Sequence, residues 1–370
     1  MTSPVDPSRP PTAASEAPGG FRQSGCELNA LSTEELFYRY RRSRFLYPAK
    51  QRWLAPYGAE ILDTWDRTRR AGSFLHRVVT FDAPDGGWSS LTMWRSTQRG
   101  WHTQHLVSSG SPGAARVVML ATQAETTYEG RIAACQNWFQ PRNPFAARAF
   151  GGMTARIGTE SAAVVPGRFY MVPLAACASL ARTPEVEELD GGFSLELARL
   201  ATKTRGWVYL CAEELDRDDL RLTEVDHLYR LVGLRRYRRL WAQRVSGGRM
   251  RAAAIAQRGP IGLNFSFLEN RCDLLVDPAA KPGEARRAVR ALLAAAGAEY
   301  RSFPPQAVPV VCSAQVAPWL QELGATLVAP YSQAMWLAAA YDDWYRHIEE
   351  TYARRAGTNV GSGPAPERER

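Results

Sequence analysis

Long hydrophobic runs and closely paired cysteines are both missing from this sequence of 370 residues. No window approaches the roughly 18 uninterrupted apolar residues typical of a membrane-spanning helix, so we expect no membrane span. The N-terminal residues lack a positive start followed by an apolar core, and we therefore expect no secretory signal. Apolar residues still make up 45% of the chain and charged residues 22%. This composition excludes a wholly disordered, collagen-like or heptad-dominated chain.

Cysteine is present, but without the spacing of a metal site or a disulfide framework. Zinc sites use closely paired ligands and secreted frameworks are denser in cysteine, whereas these residues are scattered with no CxxC pair. We therefore expect buried free thiols, no metal and a cytoplasmic location. The six cysteines are Cys26, Cys135, Cys177, Cys211, Cys272 and Cys312.

The chain carries a net charge of +9, from 46 basic and 37 acidic residues. Such a surplus can attract phosphates, nucleic acid or an anionic membrane. Arginine is scattered over many segments, however, and we interpret most of the surplus as solvated surface. The run RRYRRLWAQR at residues 235–244 offers basic and aromatic groups, but no known nucleic-acid motif accompanies it, so a nucleic-acid partner is not expected.

Two stretches of the chain repeat one order of elements. Residues 29–180 and 181–345 each read as helix, three antiparallel strands, helix, strand, helix and strands. This pattern predicts a duplicated α+β fold, in which each copy has a mixed, mostly antiparallel sheet flanked by helices. Residues 1–28 are predicted to form a disordered tail, and residues 346–370 a helix end followed by a second disordered tail beginning near Gly357.

The individual helices and strands are predicted from apolar periodicity and from the Gly, Ser and Pro residues at their ends. In the first copy we predict strands at residues 74–81, 88–95 and 101–107, then a helix that Ser111-Pro112 opens and Gly130 closes. In the second copy we predict a long helix over residues 223–244, and a helix ending at Gly297 with one apolar stripe. The strands predicted in that copy are 251–257, 262–268 and 272–277.

At the two joints where a strand leads into the central helix, the order of elements resembles a tandem pair of GNAT-type acyltransferase folds. In that family a Gly-rich loop and the helix N-terminus hold the pyrophosphate of coenzyme A with backbone N–H groups. The resemblance therefore implies acyl-CoA as donor substrate. The second copy has an acidic, proline-rich loop from Asp277 to Gly283, which repels phosphate. The first copy offers the donor-site residues Ser109, Gly110, Ser111, Gly113 and Ala114.

The family's usual general acid is not where the resemblance would place it. Family members often use a tyrosine on the helix after the fifth strand, whereas the corresponding helices here carry Phe145, Phe150 and Trp319. None of these side chains can deliver a proton. The sequence thus predicts the fold more strongly than the family's catalytic group.

Candidate catalytic and acceptor-facing residues lie on two predicted strands. His102 and His105 are three residues apart, which would put them on opposite faces of a strand, so they cannot share a metal. We take His105 as a candidate general base. On the predicted strand 262–268, Asn264 and Ser266 share one face and could point into a substrate cleft, with Glu269 at its end as a base.

Three functions follow from these observations. The leading hypothesis is transfer of an acyl group from a coenzyme A or carrier thioester to an amine or other small-molecule acceptor. The second is a non-catalytic protein of the same fold that binds a ligand or partner. Under any of these functions, the chain could form a homodimer. The third is cyclic di-GMP binding, because the RxxxR spacing of Arg235 and Arg239, with Asn264-x-Ser266 after it, resembles the PilZ signature; Glu269 replaces its closing glycine.

Overall fold

The computed structural model describes residues 25–128, 132–245 and 248–358. Its strands are, in chain order, β1 Glu27–Leu28, β2 His76–Asp82, β3 Trp88–Arg95, β4 Gly100–Ser109, β5 Ala134–Phe139, β6 Ala162–Pro173, β7 Val186–Glu188, β8 Tyr237–Arg244, β9 Met250–Arg258, β10 Cys272–Val276, β11 Ala307–Cys312 and β12 Thr326–Leu337. Its α-helices are α1 Thr33–Arg42, α2 Pro48–Leu54, α3 Gly58–Arg70, α4 Pro112–Tyr128, α5 Pro144–Ala146, α6 Thr154–Ile157, α7 Leu174–Ala178, α8 Leu195–Arg205, α9 Trp207–Ala212, α10 Thr223–Arg230, α11 Pro282–Ala296, α12 Ala317–Gln321 and α13 Tyr341–Thr358.

All twelve strands join in one sheet, with the order β1-β2-β3-β4-β5-β12-β6-β11-β10-β9-β8-β7. Neighbours are antiparallel except for two pairs, β4 with β5 and β10 with β11, which are parallel. In each half a central helix, α4 or α11, makes the crossover between the parallel strands. The prediction of an α+β fold with a mixed, mostly antiparallel sheet is therefore confirmed.

The two halves exchange their last strands. The strand that follows β5 in the chain is β6, yet β6 pairs with β11 of the second half. The strand that follows β11 is β12, and it pairs with β5 of the first half. β6 and β12 then pair with each other at the centre of the sheet. Read inward from either edge, the sheet consequently has five strands of one half in chain order and then the last strand of the other half.

The helices pack on this sheet through the apolar stripes that the sequence predicts. Helix α11 begins at Pro282, and the predicted stripe is buried against the sheet of the second half. The residues of the stripe are Ala285, Ala288, Val289, Leu292 and Ala296. The predicted strand 88–95 coincides with β3, and α4 begins at Pro112 as expected.

Two predicted elements of the second half are wrong. The long helix over residues 223–244 ends at Arg230, and residues 237–244 form β8, paired with β7 and β9. Residues 262–268 form a turn instead of a strand, because Gly262 and Phe267 both have positive φ and interrupt the extended backbone. The three antiparallel strands of this half are therefore β8, β9 and β10.

Several expectations fall at the limits of the described residues. Residues 1–24 and 359–370 of the predicted tails lie outside them, as does Gly130. Helix α13 continues through Gly357, where we expected the second tail to begin. All six cysteines are free thiols, and five of them are buried. Within the described ranges, no helix is long and apolar enough to cross a membrane, and no three His, Cys, Asp or Glu side chains are grouped to hold a metal ion.

Candidate functional site

A wedge opens in the sheet between the parallel strands β4 and β5. They pair over only three residues, from Gly100 opposite Ala134 to His102 opposite Gln136. Beyond that point side chains bridge the gap: the amide of Gln104 donates to the carbonyl of Trp138 at 2.9 Å. A side chain that takes the place of a backbone partner holds the two strands apart, because the ladder cannot resume where an amide group fills the space.

A cleft of about 430 Å³ lies at the mouth of this wedge. Its walls combine apolar and aromatic side chains with amide, hydroxyl and basic groups, and they come from α2, β4, β5, α5, β12 and the turn at residues 261–270. Three of the four predicted catalytic and acceptor-facing residues line it, namely His105, Asn264 and Ser266. A cleft of this size, in which polar groups converge between apolar walls, is a usual form of a small-molecule site.

The turn at residues 261–270 is anchored by aromatic packing and by a local hydrogen bond. Phe265 stacks on His105 with ring centroids 4.1 Å apart, and Phe267 packs edge-on against Tyr57. The Asn264 side chain accepts a hydrogen bond from the backbone N–H of Ser266 at 2.7 Å, which closes the turn locally. Asn264 therefore acts on the backbone and does not face an acceptor. Ser266 is the one residue of this turn that is not buried.

Ser266 belongs to a chain of hydrogen bonds from three distant segments. The Nζ atom of Lys50 lies 2.9 Å from its Oγ, and the hydroxyl of Tyr331 lies 2.9 Å from the same oxygen. Gln140 donates to the Tyr331 hydroxyl at 3.2 Å. Lys50 is on α2, Tyr331 is on β12, and the exchange of strands places Tyr331 beside the open end of β5.

Lys50 has an unusual environment for a lysine. It is partly buried, and among the described residues no carboxylate is paired with it. Burial without a counter-charge lowers the pKa of Lys50 from 10.5 to about 8, because water no longer stabilises the ammonium form. A lysine near this pKa can exchange a proton with a bound ligand at neutral pH.

His105 differs from its prediction in position and in basicity. The pairing of β3 with β4 shifts between Ser90 and Thr92, and His105 takes a positive φ at the resulting bulge. His102 and His105 therefore both contact the ring of Trp94, on one side of the sheet rather than on opposite faces. Burial, together with the charge of Lys50, holds the pKa of His105 well below its usual value. Its Nδ1 has no hydrogen-bond partner among the described residues.

Glu269 lies beneath the cleft and does not line it. Its carboxylate bonds to Nδ1 of His102, and Arg236 Nη1 lies 2.8 Å from its other oxygen. Burial alone would raise the pKa of this carboxyl, but the charges of His102 and Arg236 outweigh that effect and hold the pKa below its usual value. A carboxylate stabilised in this way is a weak base. Glu269 instead ties β4 of the first half to the second half.

A second ionic group lies beside Glu269. Arg271 is buried between Glu213 at 2.6 Å and Asp273 at 2.8 Å, and Gln333 of β12 donates to Glu213. Fully buried pairs of this kind hold a unique arrangement when every member is bonded. The interior between the two halves is therefore fixed by charge as well as by apolar packing.

The predicted donor loop is built at the junction of β4 and α4. Gly110 has a φ of +84° and lies so close to Gly87 that a Cβ there would meet the Cα of Gly87 at 2.8 Å. The backbone N–H of Ala114 already donates to the carbonyl of Ser111. Gly113 is different, since a Cβ there would meet only the hydroxyl of Ser111, at 3.6 Å. The side of the loop that is open to a ligand is therefore at Gly113.

Ser109 faces away from the wedge. It lines a separate hollow of about 320 Å³ together with Glu35, Arg39 and Asp82. Arg39 is paired with both of these carboxylates, at 2.8 Å and 2.7 Å. The structure therefore brings His105, Asn264 and Ser266 to one cleft, but it does not bring Ser109 there.

The second half has a wedge of its own between β10 and β11. These strands pair over two residues and then part beside a cleft of about 450 Å³. The loop after β10 already forms hydrogen bonds within the protein: Asp277 accepts from Lys203 at 2.6 Å and from the N–H of Ala279 at 2.8 Å. The acidic loop thus bonds to its own surroundings, and we place the site in the first half.

Sequence reasoning did not find Lys50 or Tyr331. No local motif marks them, because a change of strand partner brings them to Ser266 from opposite ends of the chain. One signal was available: lysine occurs three times among 46 basic residues. In a chain that otherwise uses arginine, a lysine suggests a position where a group that can lose its proton is needed.

The arginines of the RxxxR segment are all engaged within the protein. Arg235 pairs with Asp226, and Arg239 pairs with Glu188 at 2.6 Å. Arg238 is buried and donates to backbone carbonyls. A cyclic dinucleotide would have to displace carboxylates from both guanidinium groups of the RxxxR spacing, so these contacts do not favour the PilZ-like hypothesis.

Solved structures similar to this chain cover most of its length. A putative acetyltransferase from Pyrococcus horikoshii has 9% sequence identity and a TM-score of 0.40, over 84% of this chain and 89% of its own. In fold, the chain is similar to GNAT acetyltransferases. A GCN5-related N-acetyltransferase from Anabaena variabilis has 12% identity and a TM-score of 0.32, over 85% of this chain and 73% of its own. The N-myristoyltransferase of Saccharomyces cerevisiae with bound myristoyl-CoA has 8% identity and a TM-score of 0.33, over 75% of this chain and 69% of its own.

No protein-family model matches the sequence, and no curated protein matches it. The function proposed below therefore rests on the residues of this chain.

Proposed function

We propose that the protein transfers an acyl group from a thioester to an amine in the cleft between β4 and β5. The observation that carries the proposal is the chain of hydrogen bonds Lys50–Ser266–Tyr331, which opens onto the cleft at the mouth of the wedge. Acyl transfer needs a group that accepts a proton from the nucleophile, and Lys50 with its lowered pKa supplies one.

The cleft also suits the other needs of such a reaction. Its aromatic side chains, among them Phe139, Phe145 and Phe150, offer apolar surface to an acyl chain. His105 and Tyr331 line the cleft, and the Tyr331 hydroxyl holds the Ser266 hydroxyl in place at 2.9 Å. Groups that are already positioned accelerate a reaction because they need little rearrangement when charge develops on the reacting carbonyl in the transition state.

Acyl-CoA is the donor that we propose, with the open side of the loop at Gly113 as the site for its phosphates. Helix α4 starts one residue earlier, and the positive end of a helix of this length attracts anions. Gly110 and Ser111 hold the loop against the turn at Gly87. Arg44, which lines the cleft and is exposed, adds a positive charge at the cleft.

The test combines binding with turnover. Calorimetry with acetyl-CoA and longer acyl-CoAs measures the donor, and release of the free thiol in the presence of a panel of primary amines measures transfer. Gly113→Glu places a carboxylate at the proposed phosphate site and should weaken binding at least tenfold. Gly113→Ala is the matched control, because the loop has room for a Cβ there.

Two results would contradict the proposal. A folded protein that binds no thioester has no donor site. A protein that binds thioesters but releases no thiol with any amine fits the second hypothesis, a ligand-binding protein without catalysis. If Gly113→Glu binds as tightly as the wild type, the phosphates lie elsewhere.

A further inference from the structure

We propose that Ser266 is a nucleophile which carries the acyl group as an ester between donor and acceptor. The inference rests on the proposed acyl transfer and adds a covalent step to it. It is carried by the geometry around the Ser266 hydroxyl, which lies 2.9 Å from an amine on one side and 2.9 Å from a phenol on the other.

The hydrogen bonds around Ser266 allow its hydroxyl to lose a proton to Lys50 and so to act as a nucleophile. Gln140 donates to the oxygen of Tyr331, so the Tyr331 proton is free to point to the Ser266 oxygen. In the structure Nζ of Lys50 donates to Oγ of Ser266. Once Lys50 is neutral, the lone pair of Nζ can accept the Ser266 proton across the same contact. A serine whose proton is held by a base is the arrangement that serine nucleophiles need.

Ser266 is also placed where a substrate can reach it. It is the only unburied residue in the turn 261–270, between the buried anchors Phe265 and Phe267. The side chain of Asn264 holds its backbone N–H, and Trp53 of α2 packs on Phe267 with ring centroids 5.5 Å apart. The contact between α2 and the turn keeps Lys50 at a fixed distance from the hydroxyl.

The step balances without any further reactant. The oxygen of Ser266 bonds to the thioester carbonyl carbon while its proton passes to neutral Lys50. The carbon–sulfur bond then breaks, and the thiolate takes that proton from Lys50 to leave as a thiol. An amine next attacks the ester, gives its proton to Lys50, and forms the amide, and that proton returns to the departing oxygen of Ser266. Lys50 ends each half-reaction in the neutral form.

The experiment is an acylation assay on the whole protein without an acceptor. The wild type is mixed with acetyl-CoA and longer acyl-CoAs, thiol release is followed in the first turnover, and intact mass and peptide mapping locate the acyl group. We expect a burst of one thiol per chain and an acyl group on Ser266 that hydroxylamine removes, as it removes esters but not amides. Ser266→Ala should show no burst, and Lys50→Met should acylate at least a hundredfold more slowly. Ser313→Ala, which changes a serine of the second cleft, is the control and should behave as the wild type.

A serine-directed fluorophosphonate separates this inference from the proposed function, because the probe needs no thioester site. Labelling of Ser266 that depends on Lys50, in a protein that uses no thioester, supports the nucleophile and overturns the acyl transfer. Transfer from thioester to amine by a protein that shows neither burst nor labelling overturns the nucleophile alone. An acyl group found on Lys50 as a hydroxylamine-stable amide also overturns it.

Discussion

The lowered pKa of Lys50 leads to a prediction on the pH dependence of thioester cleavage. A lysine with an ordinary pKa of 10.5 is about 0.03% neutral at pH 7, whereas one with a pKa of about 8 is about 10% neutral. Burial at this position therefore raises the neutral fraction about 300-fold. If neutral Lys50 accepts the proton, the rate should rise about tenfold per pH unit below pH 7.5 and level off above about pH 8.5.

Lys50→Arg is the perturbation that isolates this effect. A guanidinium keeps the positive charge and much of the length, but it does not lose its proton in proteins. We expect the variant to be about 10² to 10⁴ times slower above pH 8, which is the usual contribution of a general base, with no inflection between pH 6 and 9.5. The assay is single-turnover thiol release, corrected for spontaneous hydrolysis.

The direction of the Lys50 pKa shift can be checked independently through the pH dependence of the free energy of unfolding. The unfolded chain keeps the Lys50 proton up to about pH 10.5, while the folded protein loses it near pH 8. The free energy of unfolding of the wild type, measured relative to Lys50→Met, should therefore rise with pH between these values and stay level below pH 8. A rate that is flat across pH 7–9, or an inflection that persists in Lys50→Arg, would refute the assignment of Lys50 as the base.

Two further predictions concern the interior and the cleft. Glu269→Gln leaves the buried Arg236 without its counter-charge, so the free energy of unfolding in urea should fall by about 3–5 kcal/mol; the exposed pair of Glu322 with Arg286 is the control, and Glu322→Gln should cost less than about 1 kcal/mol. Equal losses for the two variants would show that burial does not set the cost. Tyr331→Phe removes one hydroxyl but keeps the ring that packs on Phe169, so kcat should fall about 3- to 10-fold while the Kd for the thioester is unchanged. A weaker Kd with an unchanged kcat would assign Tyr331 to binding instead.

The order of elements could be predicted from the sequence because local patterns determine it. The apolar stripe of α11 follows the periodicity of an amphipathic helix, and α4 starts at Pro112 because proline is favoured in the first turn of a helix. Residues 237–244 were predicted incorrectly for a physical reason. Arg236 and Arg238 are buried and ion-paired or bonded to carbonyls, and a buried arginine looks like a solvated one in a sequence pattern.

The candidate site was only half predictable. Asn264 and Ser266 were found because an Asn-x-Ser spacing in an apolar segment is unusual, and they do meet His105 in one cleft. The reason given for them was wrong, since the segment is a turn and Asn264 serves the backbone. Lys50 and Tyr331 depend on which strand lies beside β5, and no periodicity within a half of the chain contains that information.

The exchange of last strands also affects how the protein folds during translation. β5 is made early, but its antiparallel neighbour β12 leaves the ribosome only after more than half of the chain length has followed. Until then β5 has an open edge on the side that β12 will occupy, and contacts so far apart in sequence form slowly. Tyr331 is on that same late strand. A chain still being translated therefore has most walls of the cleft before it has the Tyr331 hydroxyl, and the proposed site is completed only late in synthesis.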